Sequence, residues 1–163
     1  MVYRRIIHWP NRSLNSVSRD CILDKDNQVC ADLIDTFRIS GGYGLSAPQI
    51  GFNIRIIVIN ESILCGRDNL SKELLMINPK ILEKNGTKIF PEACFSLPNL
   101  SFDIERSAKI NVEWTDESGE RKSKWFEDYS SACIQHEIDH LDGILTIDKI
   151  SQLRKSLILK KFQ

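Results

Sequence analysis

Two of the chain's three histidines, His136 and His140, stand four residues apart in the stretch QHEIDHLDG, with Glu137 directly after the first. On a helix, positions i and i+4 share a face, so two imidazole nitrogens can meet one metal ion. The glutamate between them is placed to act as a general base toward an attacking water, the H-E-x-x-H arrangement of metal hydrolases. A surface helix with two solvated histidines would show the same spacing. The intervening acid, an apolar stripe of Ile134, Ile138 and Leu141, and the presence of only His8 elsewhere favour the metal.

A catalytic metal of this kind usually takes three protein ligands and keeps one position for water. Downstream of Gly143 the chain offers no histidine and no glutamate, only Asp148. Upstream, PEACFSLP places Cys94 two residues after Glu92. Taken alone, a free cysteine reads as a small buried hydrophobe, so residue types by themselves leave the third ligand open. A further segment, GGYGLSAPQIG at 41–51, is dense in glycine and carries the amide of Gln49. Gly42, Gly44 and Ala47 match the dinucleotide pattern G-x-G-x-x-A, but they follow a helical pattern and precede a strand, the reverse of the required order. A helix-terminating loop accounts for the glycines. It does not account for Gln49.

In this order, GYGLSAPQ, EACFS and QHEIDHL resemble the signature segments G-x-G-L-A-A-P-Q, E-G-C-L-S and Q-H-E-x-D-H-L of peptide deformylase. The resemblance extends over essentially the whole chain. It implies an α+β fold in which antiparallel β-sheets surround a central helix carrying H-E-x-x-H, with a short C-terminal helix. The implied activity is hydrolysis of the formyl group from the N-terminal formyl-methionine of nascent polypeptides, releasing formate. It implies Cys94, His136 and His140 as metal ligands, a set that also suits ferrous iron or zinc on coordination grounds. Fe(2+) is the implied native metal, with Zn(2+), Ni(2+) or Co(2+) as substitutes. The implied catalytic residues are Glu137 as base, Gln49 and the backbone N–H of Phe95 as oxyanion donors, and Gly44 of the first motif. An apolar slot for methionine is expected from Tyr43, Phe90, Tyr129, Ala132 and Cys133, and Asp139 with Arg106 is a candidate pair for orienting a ligand histidine.

The elements that must position these residues are visible in the periodicity. Val29, Leu33, Ile34 and Phe37 predict a first helix within 24–39, ended by Gly41-Gly42. RIIVI at 55–59 and LLMIN at 74–78 predict buried strands, and Asn85-Gly86 a tight turn. AKINVEW and RKSKWFE predict a hairpin turning at 116–119, and from Tyr129 the period becomes helical up to Gly143. No repeat or linker interrupts the chain, so its 163 residues are expected to form a single catalytic domain spanning 1–163.

Lys plus Arg equals Asp plus Glu at 22 each, so nothing favours a polyanionic partner, and no direct DNA substrate is expected. Cys21, Cys30, Cys65, Cys94 and Cys133 form an odd set without a C-x-x-C pair, which fits a reducing cytoplasm rather than a disulfide framework. The N-terminal stretch lacks a signal-peptide core, and no run reaches membrane-spanning length. The segment at 151–163 carries Arg154, Lys155, Lys160 and Lys161 around Leu153, Leu157 and Ile158. It reads as a basic amphipathic helix that covers the core, with ribosome contact as the sharper alternative.

Three departures from the family pattern stand out: Ser46 and Ala93 replace an alanine and a glycine, and Phe95 replaces a leucine. If position 93 required a positive φ, alanine would cost roughly 1 kcal/mol there. After SLP the chain reads Asn99-Leu100-Ser101, without the arginine some bacterial members carry nearby. Two rival functions remain on the sequence alone: a zinc endopeptidase, and a metal-binding interaction module without activity.

Overall fold

The structure, a computed structural model, describes residues 1–61 and 73–160. Cys65 and Lys161 lie outside the described residues. Among the described residues, three α-helices, α1 (Leu23–Ser40), α2 (Asp128–Leu141) and α3 (Gln152–Leu159), accompany five strands: β1 (Gly44–Ser46), β2 (Ile56–Asn60), β3 (Glu73–Cys94), β4 (Leu97–Thr115) and β5 (Arg121–Glu127). The strands form one antiparallel sheet in sequential order from β1 to β5.

The apolar run of β2 has no polar alternation because both its faces are covered. Ile56 and Val58 pack with Leu33 and Phe37 of α1, whereas Ile57 and Ile59 pack with Ile134, Ile138 and Leu141 of α2. Burying each of these side chains contributes about 1.5–3 kcal/mol at most. The sheet is therefore sandwiched at β2, and α2 is held by Met76, Ile110, Val112 and Phe126 as well. A third cluster ties Trp9 and Leu14 to Leu97, Phe102 and Ile104 of β4 and to Leu145 and Ile147.

Asn85-Gly86 is not a turn. β3 runs through it, pairing Asn85 with Lys109 and Thr87 with Ser107, and Gly86 takes φ +61° within the strand. The glycine accommodates a local distortion of a long ribbon rather than a reversal of the chain. The reversal falls instead at Phe95-Ser96, where Cys94 pairs with Leu97. Ala93 pairs with Ser101 and is not among the residues with positive φ, so the expected alanine strain does not arise. The predicted hairpin of β4 and β5 is present, with Thr115 opposite Arg121.

Helix α2 begins directly after β5, and a side chain fixes its rotation. Beyond the end of the β5 ladder, Gln135 Oε1 accepts from the Ser107 N–H at 3.1 Å and Nε2 donates to the Ser107 carbonyl at 2.9 Å. Ser131 Oγ donates to the same carbonyl at 2.7 Å. An amide side chain thus takes the place of a neighbouring strand and locks the face that carries the histidines.

Candidate metal centre

Cys94 ends β3 at the mouth of the β3–β4 turn, and α2 crosses beneath it. The ligand atoms of Cys94, His136 and His140 all lie within 4.8 Å of one another, with Cys94 Sγ 3.2 Å from His140 Nε2. Metal–sulfur and metal–nitrogen bond lengths place tetrahedral ligand atoms roughly 3.3–3.6 Å apart, so this donor set fits one divalent ion. His140 Nδ1 and Glu137 Oε2 are buried without a hydrogen-bond partner, which fits a cluster organised around something other than its own hydrogen bonds.

The electrostatics separate the groups sharply. Burial pushes the Glu137 carboxyl up to about 7, against the opposing pull of His136 and the Ser46 hydroxyl, which suits a base that must gain and lose a proton near neutrality. Burial lowers His140, helped by the charges of His136 and Arg106, and so keeps it neutral for ligation. Burial also works against charge on His136, but Cys94 and Glu92 outweigh it and raise that imidazole. Cys133 is pushed well up by burial and by Glu137, which makes it an inert wall rather than a nucleophile.

Glu92 is the residue that sequence reasoning missed. Its Oε2 lies 2.9 Å from His136 Nδ1, and its carboxylate takes a two-pronged contact from Arg106, Nε to Oε1 at 2.6 Å and Nη2 to Oε2 at 2.9 Å. Burial alone would raise Glu92, yet His136 and Arg106 hold it at about 2. The expected pair of Arg106 with Asp139 is present at 2.5 Å, but Glu92, not Asp139, touches the candidate ligand His136. The signal was in the sequence: Glu92 and Cys94 are two apart on a strand and therefore share a face.

Gln49 Nε2 stands 3.5 Å from Cys94 Sγ and 3.2 Å from Ser96 Oγ. Gly44 passes so close to α2 that a Cβ there would lie 2.7 Å from Glu137 Oε1. A groove of about 1450 Å³ opens over the centre and is lined by all five expected pocket residues: Tyr43, Phe90, Tyr129, Ala132 and Cys133. Phe90 is buried and packs edge-on to Tyr129 at 5.4 Å between ring centroids. Phe95 also lines the groove.

The groove's other wall comes from the N-terminal segment, held by Ile7 N–H to the Gln49 carbonyl at 2.8 Å and Trp9 N–H to the Ser96 carbonyl at 2.9 Å. This brings Arg5 and His8 to the groove. Arg5 is exposed and makes no ion pair among the described residues, in contrast to Arg4, which is paired with Asp32.

A family model described as polypeptide deformylase matches residues 3–156. The chain is 38% identical to a peptide deformylase of Pelagibacter ubique, over 99% of this chain and 94% of that protein. It is 34% identical to one of Helicobacter pylori, over 100% of this chain and 92% of that protein. A crystal structure of a peptide deformylase from Legionella pneumophila matches with a TM-score of 0.87 at 30% identity, covering 98% of this chain and 93% of that one. One from Ehrlichia chaffeensis in complex with actinonin matches with a TM-score of 0.89 at 27% identity, covering 99% and 96%.

Proposed function

The chain belongs to the polypeptide deformylase family, and on that premise we propose that Cys94, His136 and His140 hold its metal while Glu137, Gln49 and Phe95 carry the reaction. The activity is metal-dependent hydrolysis of the formyl group from the N-terminal formyl-methionine of nascent polypeptides, with release of formate. The observation that carries the assignment of roles is the convergence of three donor atoms within 4.8 Å beside a buried carboxylate.

When bound, the metal supplies Lewis acidity that makes water a nucleophile at neutral pH and polarises the formyl carbonyl. Glu137 takes the proton from the attacking water and hands it to the leaving amine. Gln49 Nε2 and the Phe95 N–H donate to the oxygen that gains negative charge. Phe90, Tyr129, Ala132, Cys133 and Tyr43 receive the methionine side chain and exclude water from it. Glu92, anchored by Arg106, fixes the ring of His136.

The native metal in this proposal is Fe(2+), as the family implies; the mixed thiolate and imidazole set suits zinc equally, and Zn(2+), Ni(2+) and Co(2+) are substitutes. Metal analysis of protein prepared without oxygen tests this, and Zn(2+) as the sole bound metal would overturn it. The whole chain is read as one catalytic domain acting in the cytoplasm, where nascent chains emerge. No helix among the described residues is long and apolar enough to cross a membrane. Ribosome contact through α3 has the weaker support: Lys155 pairs with Asp148, Arg154 covers the ring of Phe102, and Ile158 and Leu159 pack on the core. Retained ribosome co-sedimentation after deletion of 151–163 would remove that contact.

The roles are tested with a formyl-Met tripeptide and enzyme loaded anaerobically with Fe(2+). Glu137→Ala is expected to keep one metal per chain and lose at least about 99% of turnover, since base catalysis contributes roughly 10²–10⁴-fold. Substantial activity in that variant would overturn the assignment.

A further inference from the structure

Ser46 closes β1 at the point where the first motif departs from the family pattern, and it is completely buried. Its backbone N–H and its Oγ each lie 2.9 Å from Gln49 Oε1. The two ends of an amide side chain are nearly equal in shape, so which end faces a site is decided by what each end meets. At Gln49, one end meets the N–H of Ser46 and its hydroxyl, whose single proton the Glu137 carboxylate also attracts, and the other meets Ser96 Oγ and Cys94 Sγ. Were the amide reversed, its carbonyl oxygen would face the cysteine sulfur and the developing oxyanion, where it repels instead of donating. The backbone N–H at position 46 is available whatever residue stands there. The hydroxyl is not.

We propose that Ser46 is a positioning residue for the reaction, its hydroxyl serving as a second donor that locks the Gln49 amide with the N–H groups toward the reacting carbonyl. This rests on the reading of Gln49 as an oxyanion donor. An alanine at position 46 leaves the carbonyl end of the amide held by the backbone N–H alone, so the side chain swings more widely about that contact. Because the oxygen gains charge only as the reaction proceeds, the loss falls on the transition state rather than on substrate binding.

The experiment is a double-mutant cycle with a formyl-Met tripeptide on wild type, Ser46→Ala, Gln49→Leu and the double variant. It is paired with hydrogen exchange of the Gln49 side-chain amide in ¹⁵N-labelled protein loaded with diamagnetic Zn(2+), where Gln49→Leu identifies the resonances. One net hydrogen bond corresponds to roughly a fivefold to tenfold fall in kcat for Ser46→Ala, with KM held within about twofold because ground-state contacts are untouched. The same substitution should have no further effect on Gln49→Leu, and the Gln49 amide protons should exchange faster in Ser46→Ala. Equal losses in both backgrounds would overturn the proposal, since the hydroxyl would then act elsewhere, on Glu137. Unchanged amide exchange would also overturn it. Full kcat in Gln49→Leu would instead bring down the reading of Gln49 itself, a result distinct from a crippled Gln49→Leu beside an unaffected Ser46→Ala.

Discussion

Adding one methyl group at Gly44 isolates the positioning of the base from its chemistry. Gly44 does not adopt a positive φ, so alanine there carries no backbone strain, and its effect is steric. The new Cβ would lie 2.7 Å from Glu137 Oε1, 2.8 Å from Cys133 Sγ and 3.0 Å from Glu137 Cγ. Ordinary contact begins at 3.4 Å, so the carboxylate must retreat by roughly 0.7 Å. The helix cannot retreat with it, because Ile134, Ile138 and Leu141 are packed against the sheet. A displacement near 1 Å in a reacting group costs on the order of 100-fold, so Gly44→Ala should lower kcat roughly 30- to 100-fold. Overpacking of about 1–3 kcal/mol should also lower the melting temperature by roughly 2–10 °C. Formate release measures the rate, metal analysis confirms the ligands, and Gly41→Ala is the control. Gly41 has φ +61° and nothing within 4 Å of a Cβ, so alanine there should cost about 1 kcal/mol of stability and leave kcat unchanged. A Gly44→Ala enzyme within threefold of wild type would refute the reasoning that this close approach sets the base.

Glu92→Gln should weaken metal affinity roughly 10- to 100-fold in a chelator competition, since it removes the carboxylate that holds His136; unchanged affinity would sink the role given to Glu92. The same change should lower stability by several kcal/mol, because Arg106 keeps a charge 4% exposed with its main partner gone. Asp26 is held at about 2 mainly by the hydrogen bonds of Arg19, against burial and with help from the Ile22 N–H. Its pKa is lower folded than unfolded, so its contribution is complete above about 4 and is lost as pH falls through about 2. Urea unfolding of metal-free protein should show Asp26→Asn less stable by about 1 kcal/mol at pH 7, a figure reduced for the half-exposed Arg19, and the gap should close by about pH 2. A gap independent of pH would contradict it. Arg5→Glu should lower kcat/KM more for formyl-Met peptides with an acidic residue after methionine than for neutral ones, and equal losses would remove Arg5 from the groove's selectivity.

Elements with a strong period were legible in the sequence: α1, β2, the β4–β5 hairpin and α2 carry apolar residues at 3.6- or 2-residue spacing, or as an unbroken run. Asn85-Gly86 misled because the dipeptide reports only a tolerance of positive φ, which a turn and a distorted strand share. The family was legible because three short motifs occur in order along one chain. Glu92 was not weighed because an acid beside a cysteine looks like surface until strand geometry puts both on one face. The clamp of Ser46 on Gln49 depends on an amide orientation that no spacing encodes. Arg5 reaches the groove because residues 7 and 9 are pinned to the carbonyls of Gln49 and Ser96, 47 positions apart in the chain.

Cys94 closes β3, while His140, 3.2 Å from its sulfur, lies 46 positions later on a helix reached through two further strands. The centre therefore does not exist in any fragment of the chain that ends before residue 140. An ion held there would bridge a loop of that length, and because the three donors meet only in the folded chain its binding free energy would add directly to folding stability. Such an ion would be a removable fastener between ribbon and helix, tying the end of β3 to α2.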